Sequence, residues 1–150
     1  MQSKLAALKI SRRLAVVAIF TGQVLDFVEV RHLSNVSKVA TETLERFVGW
    51  VIENFHVETA ALAADEDEHH PRIELLTMTA ERKLLERGVP LWKVSDSQLL
   101  ESFGIPPLKQ KSELRQVAQS LWPYVASQHL PALDAALIGL YVQVERLLSA

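Results

Sequence analysis

The chain has 150 residues, 49% of them hydrophobic and 23% charged, which predicts a single globular domain spanning residues 1–150 and excludes a disordered chain. It contains no cysteine, which excludes disulfides, thiolate nucleophiles and Cys-ligated zinc, and which fits a reducing compartment. The net charge of −2 argues against a dedicated duplex-DNA binder, since such proteins usually carry a basic excess, but it leaves room for a local basic patch.

The first thirty or so residues predict three strands, separated by short turns at Ser11-Arg12 and Thr21-Gly22: "KLAALKIS", "RRLAVVAIF" and "QVLDFVEV". Both alternating sets of side chains in the second strand are apolar, which is typical of a strand buried on both faces. The third strand carries Asp26, Glu29 and Arg31, as expected nearer an edge of the sheet.

The longest apolar run near the N-terminus, Leu14 to Phe20, falls far short of the ~20 residues of a membrane span. A turn follows it, not a cleavage site of small residues. We therefore expect a cytoplasmic protein that does not contact a membrane.

From Ser37 to Phe55 the apolar residues recur at three- and four-residue steps, which predicts an amphipathic helix capped by Ser34 or Ser37. A short strand, "ETAALAA", follows. Pro71 then opens a second helix, which continues to Gly88.

The last part of the chain predicts a fifth strand, "VPLWKV", and three helices. The first is capped by Ser95, the second stops before Pro123, and the third begins at Pro131. The side chains expected to face inward on the last helix are Leu133, Leu137, Leu140, Tyr141, Val144 and Leu147.

In order, these elements are β-β-β-α-β-α-β-α-α-α. They predict an α/β fold with a five-stranded mixed sheet, three antiparallel strands followed by β-α-β units, and helices on both faces.

The stretch "DEDEHH" at 65–70 places four acids and two imidazoles directly after the fourth strand. Clustered oxygen ligands are suited to divalent metals, but consecutive loop residues point in different directions, and acids near a helix N-terminus gain ~0.3–1 kcal/mol from the helix dipole. His69-His70 lack the i, i+4 spacing of a helical metal site. A solvated loop is therefore the simpler interpretation.

Three stretches resemble a known family: "ALKISRRLAVVAIF" is similar to its first hairpin, "PLKQKSELRQVAQSLWP" to a segment in which a Lys precedes a helix, and "LDAALIGLYV" to its final helix. The family is the RuvC-type Holliday-junction resolvase branch of the ribonuclease H-like fold. The resemblance covers most of the chain.

The resemblance implies that carboxylates from the first strand, the fourth strand and the last helix hold two divalent ions at the scissile phosphate. Here the first-strand position is Lys9, and the fourth strand ends in Ala63 and Ala64, with Asp65 just beyond. Only Asp134 on the last helix matches. We therefore expect a nuclease scaffold with a degenerate active site and no cofactor, in which Asp65 and Asp134 are candidate remnants. Asp134 is equally explained by its place about one turn into a helix, where the dipole favours a carboxylate.

Two alternatives remain open. The chain could be an active nuclease dependent on Mg²⁺ or Mn²⁺, using Asp65, Glu66 or Asp67 together with Asp134. It could also be a structural or assembly protein in which the former cleft is closed.

Lys9, Arg12 and Arg13 suggest a site where cations meet the phosphates of a nucleic acid or a small phosphorylated ligand without a metal. The slightly favoured alternative is that Lys9 pairs with Asp65 or Asp134, because a vacated acidic site needs a counter-charge. A second basic cluster, Lys109, Lys111 and Arg115, either contacts phosphate or forms a solvated face; these residues are on a predicted helix start.

The partners we expect are nucleic acid and, because the resolvases that the chain resembles are dimers, a second copy of the chain.

Two further sets of residues give no indication of a binding site. The tryptophans are spaced as core or core-edge residues outside any basic-aromatic pattern, and three histidines stand alone as surface residues: Trp50, Trp92, Trp122, His32, His56 and His129.

Overall fold

The computed structural model describes residues 3–64, 70–125 and 130–149. Its elements follow the predicted order. They are β1 (Lys4–Ile10), β2 (Leu14–Thr21), β3 (Val24–His32), α1 (Ser37–Phe55), β4 (Thr59–Ala64), α2 (Pro71–Glu86), β5 (Leu91–Ser95), α3 (Asp96–Ser102), α4 (Lys111–Leu121) and α5 (Leu130–Ser149).

The strands form one mixed sheet in the order β3-β2-β1-β4-β5. β1 and β3 both run antiparallel to β2, whereas β1, β4 and β5 are mutually parallel. The carboxyl ends of these three parallel strands therefore meet along one side of the sheet, near Ile10, Ala64 and Ser95. We call this side the carboxyl edge.

Each face of the sheet is covered by its own hydrophobic core. One core joins the sheet to α3, α4 and α5, and the other joins it to α1 and α2. β2 contributes Val16, Ala18 and Phe20 to the first core and its alternate residues to the second. The prediction of a strand buried on both faces is thus confirmed.

Helix α5 runs antiparallel to β1 and lies very close to the sheet. Gln143 Nε2 donates to the carbonyl of Ser3 at the start of β1 (3.2 Å) and to that of Gly22 (2.8 Å). A Cβ atom on Gly139 would lie 2.4 Å from Phe20 Cε1. Because the later part of α5 lies at the beginning of β1, its first turns lie towards the carboxyl edge.

Two local predictions need correction. No side chain caps α1: Val36 is its N-cap residue, and Ser34 Oγ accepts a hydrogen bond from the Val36 amide (3.1 Å) just outside the helix. Leu147 is 63% exposed rather than inward-facing, because it lies a full turn beyond Gln143, where the sheet has already ended. The predicted cap at Ser95 is confirmed and forms a reciprocal capping box with Gln98.

Among the helices of residues 3–64, 70–125 and 130–149, none combines the length and apolar character needed to cross a membrane.

Candidate functional site at the carboxyl edge of the sheet

Lys9 lies near the end of β1 and is only 9% exposed. Side chains alternate between the two faces of a strand, and Leu5 and Ala7 belong to the core that contains α5. Lys9 therefore lies on the α5 face of the sheet. The sequence prediction placed a cation at the end of the first strand, and the structure places it beside the helix that carries Asp134.

Asp134, in the second turn of α5, is buried at 7% exposure. Its carboxylate faces the guanidinium of Arg115 from α4: Nη2 lies 3.4 Å from Oδ2 and Nε lies 3.5 Å from Oδ1. Two such contacts made side by side match the fork geometry of arginine–carboxylate pairs, at the long end of hydrogen-bond distances. Arg115 thus supplies a counter-charge to Asp134 that the sequence predictions did not include, while the predicted pairing of Lys9 with Asp65 falls on a residue outside the described parts of the chain.

The predicted basic cluster at the start of α4 does not form one patch. Lys109 is exposed, Lys111 Nζ lies 3.8 Å from Asp96 Oδ2, and Arg115 turns inward to Asp134. Because residues four apart share one face of a helix, Lys111 and Arg115 both point towards neighbouring helices. Lys109 and the partly exposed Lys111 therefore remain in contact with solvent, whereas Arg115 is engaged with Asp134.

The turn between β1 and β2 presents Arg12 and Arg13 to solvent. Within the described parts of the chain, neither of these two side chains makes a hydrogen bond or an ion pair. Their backbone is held firmly, since the Arg12 carbonyl accepts from Arg72 Nε (2.7 Å) and the Arg13 carbonyl accepts from the Leu33 amide (2.7 Å). The turn therefore presents two guanidinium groups whose N–H donors make no hydrogen bond within the described residues, on a backbone that hydrogen bonds hold in place.

Arg72 fixes this turn from the first helical turn of α2. Besides the Arg12 carbonyl, its guanidinium donates to the carbonyls of Asn35 (3.1 Å) and Ser34. One side chain thus ties together the β1–β2 turn, the loop before α1 and the start of α2. The sequence analysis missed this residue. The signal was a cation in the first turn of a helix, where the helix dipole disfavours positive charge unless something else holds it.

The acidic candidates Asp65, Glu66 and Asp67 lie outside the described residues, as do His69 and His129. His32 and His56 are exposed, as predicted. Among the residues that are described, no three His, Cys, Asp or Glu side chains are grouped so that they could share a metal ion.

A two-metal centre needs several negative oxygens to hold two mutually repelling cations. At the corresponding places the described residues supply an ammonium, Lys9, and a carboxylate already paired with a guanidinium, Asp134. These two described residues alone do not supply the oxygens that a pair of divalent ions needs, and the candidates Asp65, Glu66 and Asp67 lie outside the described residues.

Comparisons with solved structures agree with this architecture. Thermus thermophilus RuvC superposes with a TM-score of 0.81 at 15% identity, over 96% of this chain and 96% of that chain. T. thermophilus RuvC in complex with a Holliday junction substrate gives 0.84 at 16% identity, over 99% and 98%. The yeast mitochondrial Holliday junction resolvase Ydc2 gives 0.67 at 10% identity, over 97% and 83%.

No protein-family model and no curated protein sequence matches the chain. At identities this low, the structural matches establish the architecture alone. They confirm the fold expected from the three stretches that resemble the family. The chain has the ribonuclease H-like fold in the form found in RuvC-type Holliday junction resolvases.

Proposed function

We propose that this domain binds nucleic acid at the carboxyl edge through its own cations and does not hydrolyse it with two metal ions. The observation that carries the proposal is the charge at the edge. A lysine occupies the first-strand position, and the buried carboxylate of Asp134 is neutralised by Arg115. Among the described residues, a cation and an already paired carboxylate therefore stand where a two-metal mechanism requires several negative oxygens.

The neighbouring turn supports nucleic acid as the ligand. The guanidinium groups of Arg12 and Arg13 are exposed, and their N–H donors make no hydrogen bond within the described residues. Planar guanidinium groups bind phosphate oxygens in a bidentate manner without a metal. One of the structures that this chain resembles throughout its length, T. thermophilus RuvC, was solved with a Holliday junction substrate. Branched DNA is thus the first ligand to test.

Binding should be of moderate strength and strongly dependent on salt, because the net charge of −2 leaves the local cations to supply the affinity. Fluorescence anisotropy with labelled four-way junction, duplex and single-stranded DNA across a salt series measures both quantities. The double variant Arg12→Gln/Arg13→Gln is expected to reduce the slope of log K against log salt by about 1.8, since each lost phosphate contact on duplex DNA contributes about 0.9.

Arg87→Gln is the matched control for this experiment. Arg87 follows the far end of α2 and pairs with Glu53 (Nη2–Oε1, 2.8 Å), so its loss removes one positive charge, as Arg12→Gln or Arg13→Gln alone would, but away from the carboxyl edge. The slope should be unaffected. Absence of any salt-dependent affinity at low ionic strength would overturn the proposal.

We also propose that the domain forms a homodimer through the outer face of α2. Leu75, Met78 and Leu85 lie along this face and are 44%, 66% and 70% exposed, with Arg82 between the last two and paired with Glu45. A two-fold interface pairs a patch with its own copy, so a mainly apolar helix face suits a second copy of this chain. Light scattering should give a dimer that Met78→Glu converts to a monomer of unchanged helical content. A wild-type monomer at a concentration of 100 µM would contradict this.

A further inference from the structure

A second basic and aromatic surface lies between the edge strand β3 and helix α1, on the opposite face of the sheet from Lys9. It is a shallow groove of about 360 Å³, which we call the α1 groove. Its lining residues are Arg31, Thr43, Arg46, Phe47 and Trp50.

Arg31 is held in the groove by aromatic rings instead of by an acid. Its Cζ atom lies 4.8 Å from the centre of the Phe47 ring and 5.9 Å from that of Trp50. A guanidinium over a ring face keeps its in-plane N–H groups for other acceptors. No hydrogen bond or ion pair uses the Arg31 side chain within the described residues. The groove thus holds the guanidinium of Arg31 in a defined position, with N–H donors that make no hydrogen bond within the described residues.

Trp50 provides a flat surface that Arg31 covers in part, since the Arg31 Cζ atom lies over its ring, 5.9 Å from the centroid. Its indole is 38% exposed, and it is fixed by near-parallel stacking on Phe47 (6.2 Å between centroids, 14° between planes) and by edge-on contact with Phe55 (5.6 Å, 88°). Because the ring is already positioned, a second ring stacking on it loses little further entropy. Arg46, one helical turn earlier, is exposed beside it.

The charges on the two elements do not cancel the groove's cations by direct pairing. Glu29 and Glu42 lie on β3 and α1, but neither forms an ion pair with Arg31 or Arg46 in the described structure. Two guanidinium groups therefore flank a fixed aromatic face.

We propose that the α1 groove binds single-stranded nucleic acid, with a base stacked on Trp50 and phosphates on Arg31 and Arg46. Stacking platforms combined with cations that follow the backbone are the means by which proteins hold single strands. An acidic peptide would engage the arginines and leave the indole face unused. The groove is separate from the carboxyl edge, so this inference adds a second contact to the function proposed above.

No tryptophan lies in basic-aromatic interleaving along the sequence, and the groove is consistent with that. The partner of Trp50, Arg31, comes from β3, whose packing against α1 creates the cluster. Spacing along the chain could not reveal it.

Anisotropy with a fluorescein-labelled oligothymidine of about eight nucleotides tests the proposal. Trp50→Leu is expected to weaken binding at least about fivefold by removing the stacking surface, and Trp50→Phe to restore most of the affinity. Arg46→Gln should reduce the salt slope by about 0.7, the contribution of one phosphate contact on a single strand. Arg87→Gln should change neither quantity, because Arg87 lies outside the groove and pairs with Glu53.

The outcomes separate this proposal from the first one. Junction binding should depend on Arg12 and Arg13 and be insensitive to Trp50→Leu, whereas oligothymidine binding should show the reverse. The groove proposal is overturned if oligothymidine does not bind, if its binding depends on Arg12 and Arg13 alone, or if a polyglutamate peptide displaces it at equal concentration. Arg46 is fully on the surface, so Arg46→Gln gives a result even if Trp50→Leu does not fold.

Discussion

The carboxylate of Asp134 and the guanidinium of Arg115 form a largely buried ion pair, with side-chain exposures of 10% and 32%. Taking a carboxylate out of water is unfavourable unless a partner compensates it. Arg115 supplies that compensation.

Replacing Arg115 with methionine should therefore destabilise the fold by about 1–3 kcal/mol, because a buried carboxylate is left unpaired. Adding Asp134→Asn should recover part of the loss, since the amide carries no charge. Urea unfolding of both single variants and the double variant gives the coupling free energy.

Lys111→Met is the control for this cycle. Its partner Asp96 lies 3.8 Å away and both side chains are largely in water, so the expected change is below about 0.5 kcal/mol. Equal effects of Arg115→Met and Lys111→Met would show that the Arg115–Asp134 pair is not the stabilising contact described here.

Whether a residue of the candidate site can be predicted from the sequence depends on which structural feature determines its position. Lys9 could be predicted because its place at the end of β1 follows from strand periodicity alone. The pairing of Arg115 with Asp134 could not, because it depends on how α4 is rotated against α5. The same is true of Arg72, whose three carbonyl partners come from two different loops.

At the scale of the elements, α5 sets the position of the site because it approaches the sheet so closely. A methyl group on Gly139 would meet Phe20, which is fully buried and packed edge-on against Trp122 at 6.1 Å. Ala7 Cβ is the next contact, at 3.2 Å. Neither neighbour has room to move.

Two glycine-to-alanine substitutions test this packing, since both residues lie inside helices. Gly139→Ala should destabilise the protein by about 1–3 kcal/mol through overpacking. Gly49→Ala should stabilise it by about 0.5–1 kcal/mol through helix propensity, because its new Cβ meets only the mobile ends of Lys83 (3.3 Å) and Arg87 (3.5 Å). Thermal or urea unfolding gives the signs, and a stabilising Gly139→Ala would contradict the close approach of α5.

The β1–β2 turn gives a second prediction at this scale. Arg72→Lys cannot reach three carbonyls at once, so the turn should become less ordered and junction affinity should fall. The salt slope should stay the same, because Arg12 and Arg13 still provide the phosphate contacts. Anisotropy across a salt series distinguishes the two effects. A reduced slope in Arg72→Lys would mean that Arg72 itself touches the nucleic acid.

The order and type of the elements could be read from the sequence because periodicity reports burial directly. The apolar run of β2 and the amphipathic stripe of α1 are such cases, and the bounds of α1 agree with the prediction. The cap of α1 and the exposure of Leu147 could not be read, since they depend on loop geometry and on where the sheet ends.

For the molecule as a whole, the sheet separates two cationic surfaces. The carboxyl edge carries Arg12 and Arg13, with Lys9 on the α5 face, while the α1 groove lies on the other face. The fold is that of RuvC-type resolvases, and the proposal of phosphate binding without metal ions rests on these two surfaces.

The most direct test of this account is an assay of binding and cleavage on one labelled four-way junction, with EDTA in one series and Mg²⁺ or Mn²⁺ in the other. We expect a salt-dependent complex in EDTA and uncut junction at every metal concentration. Cleavage products that require the metal and vanish in Asp134→Asn would contradict the account and identify the protein as an active nuclease.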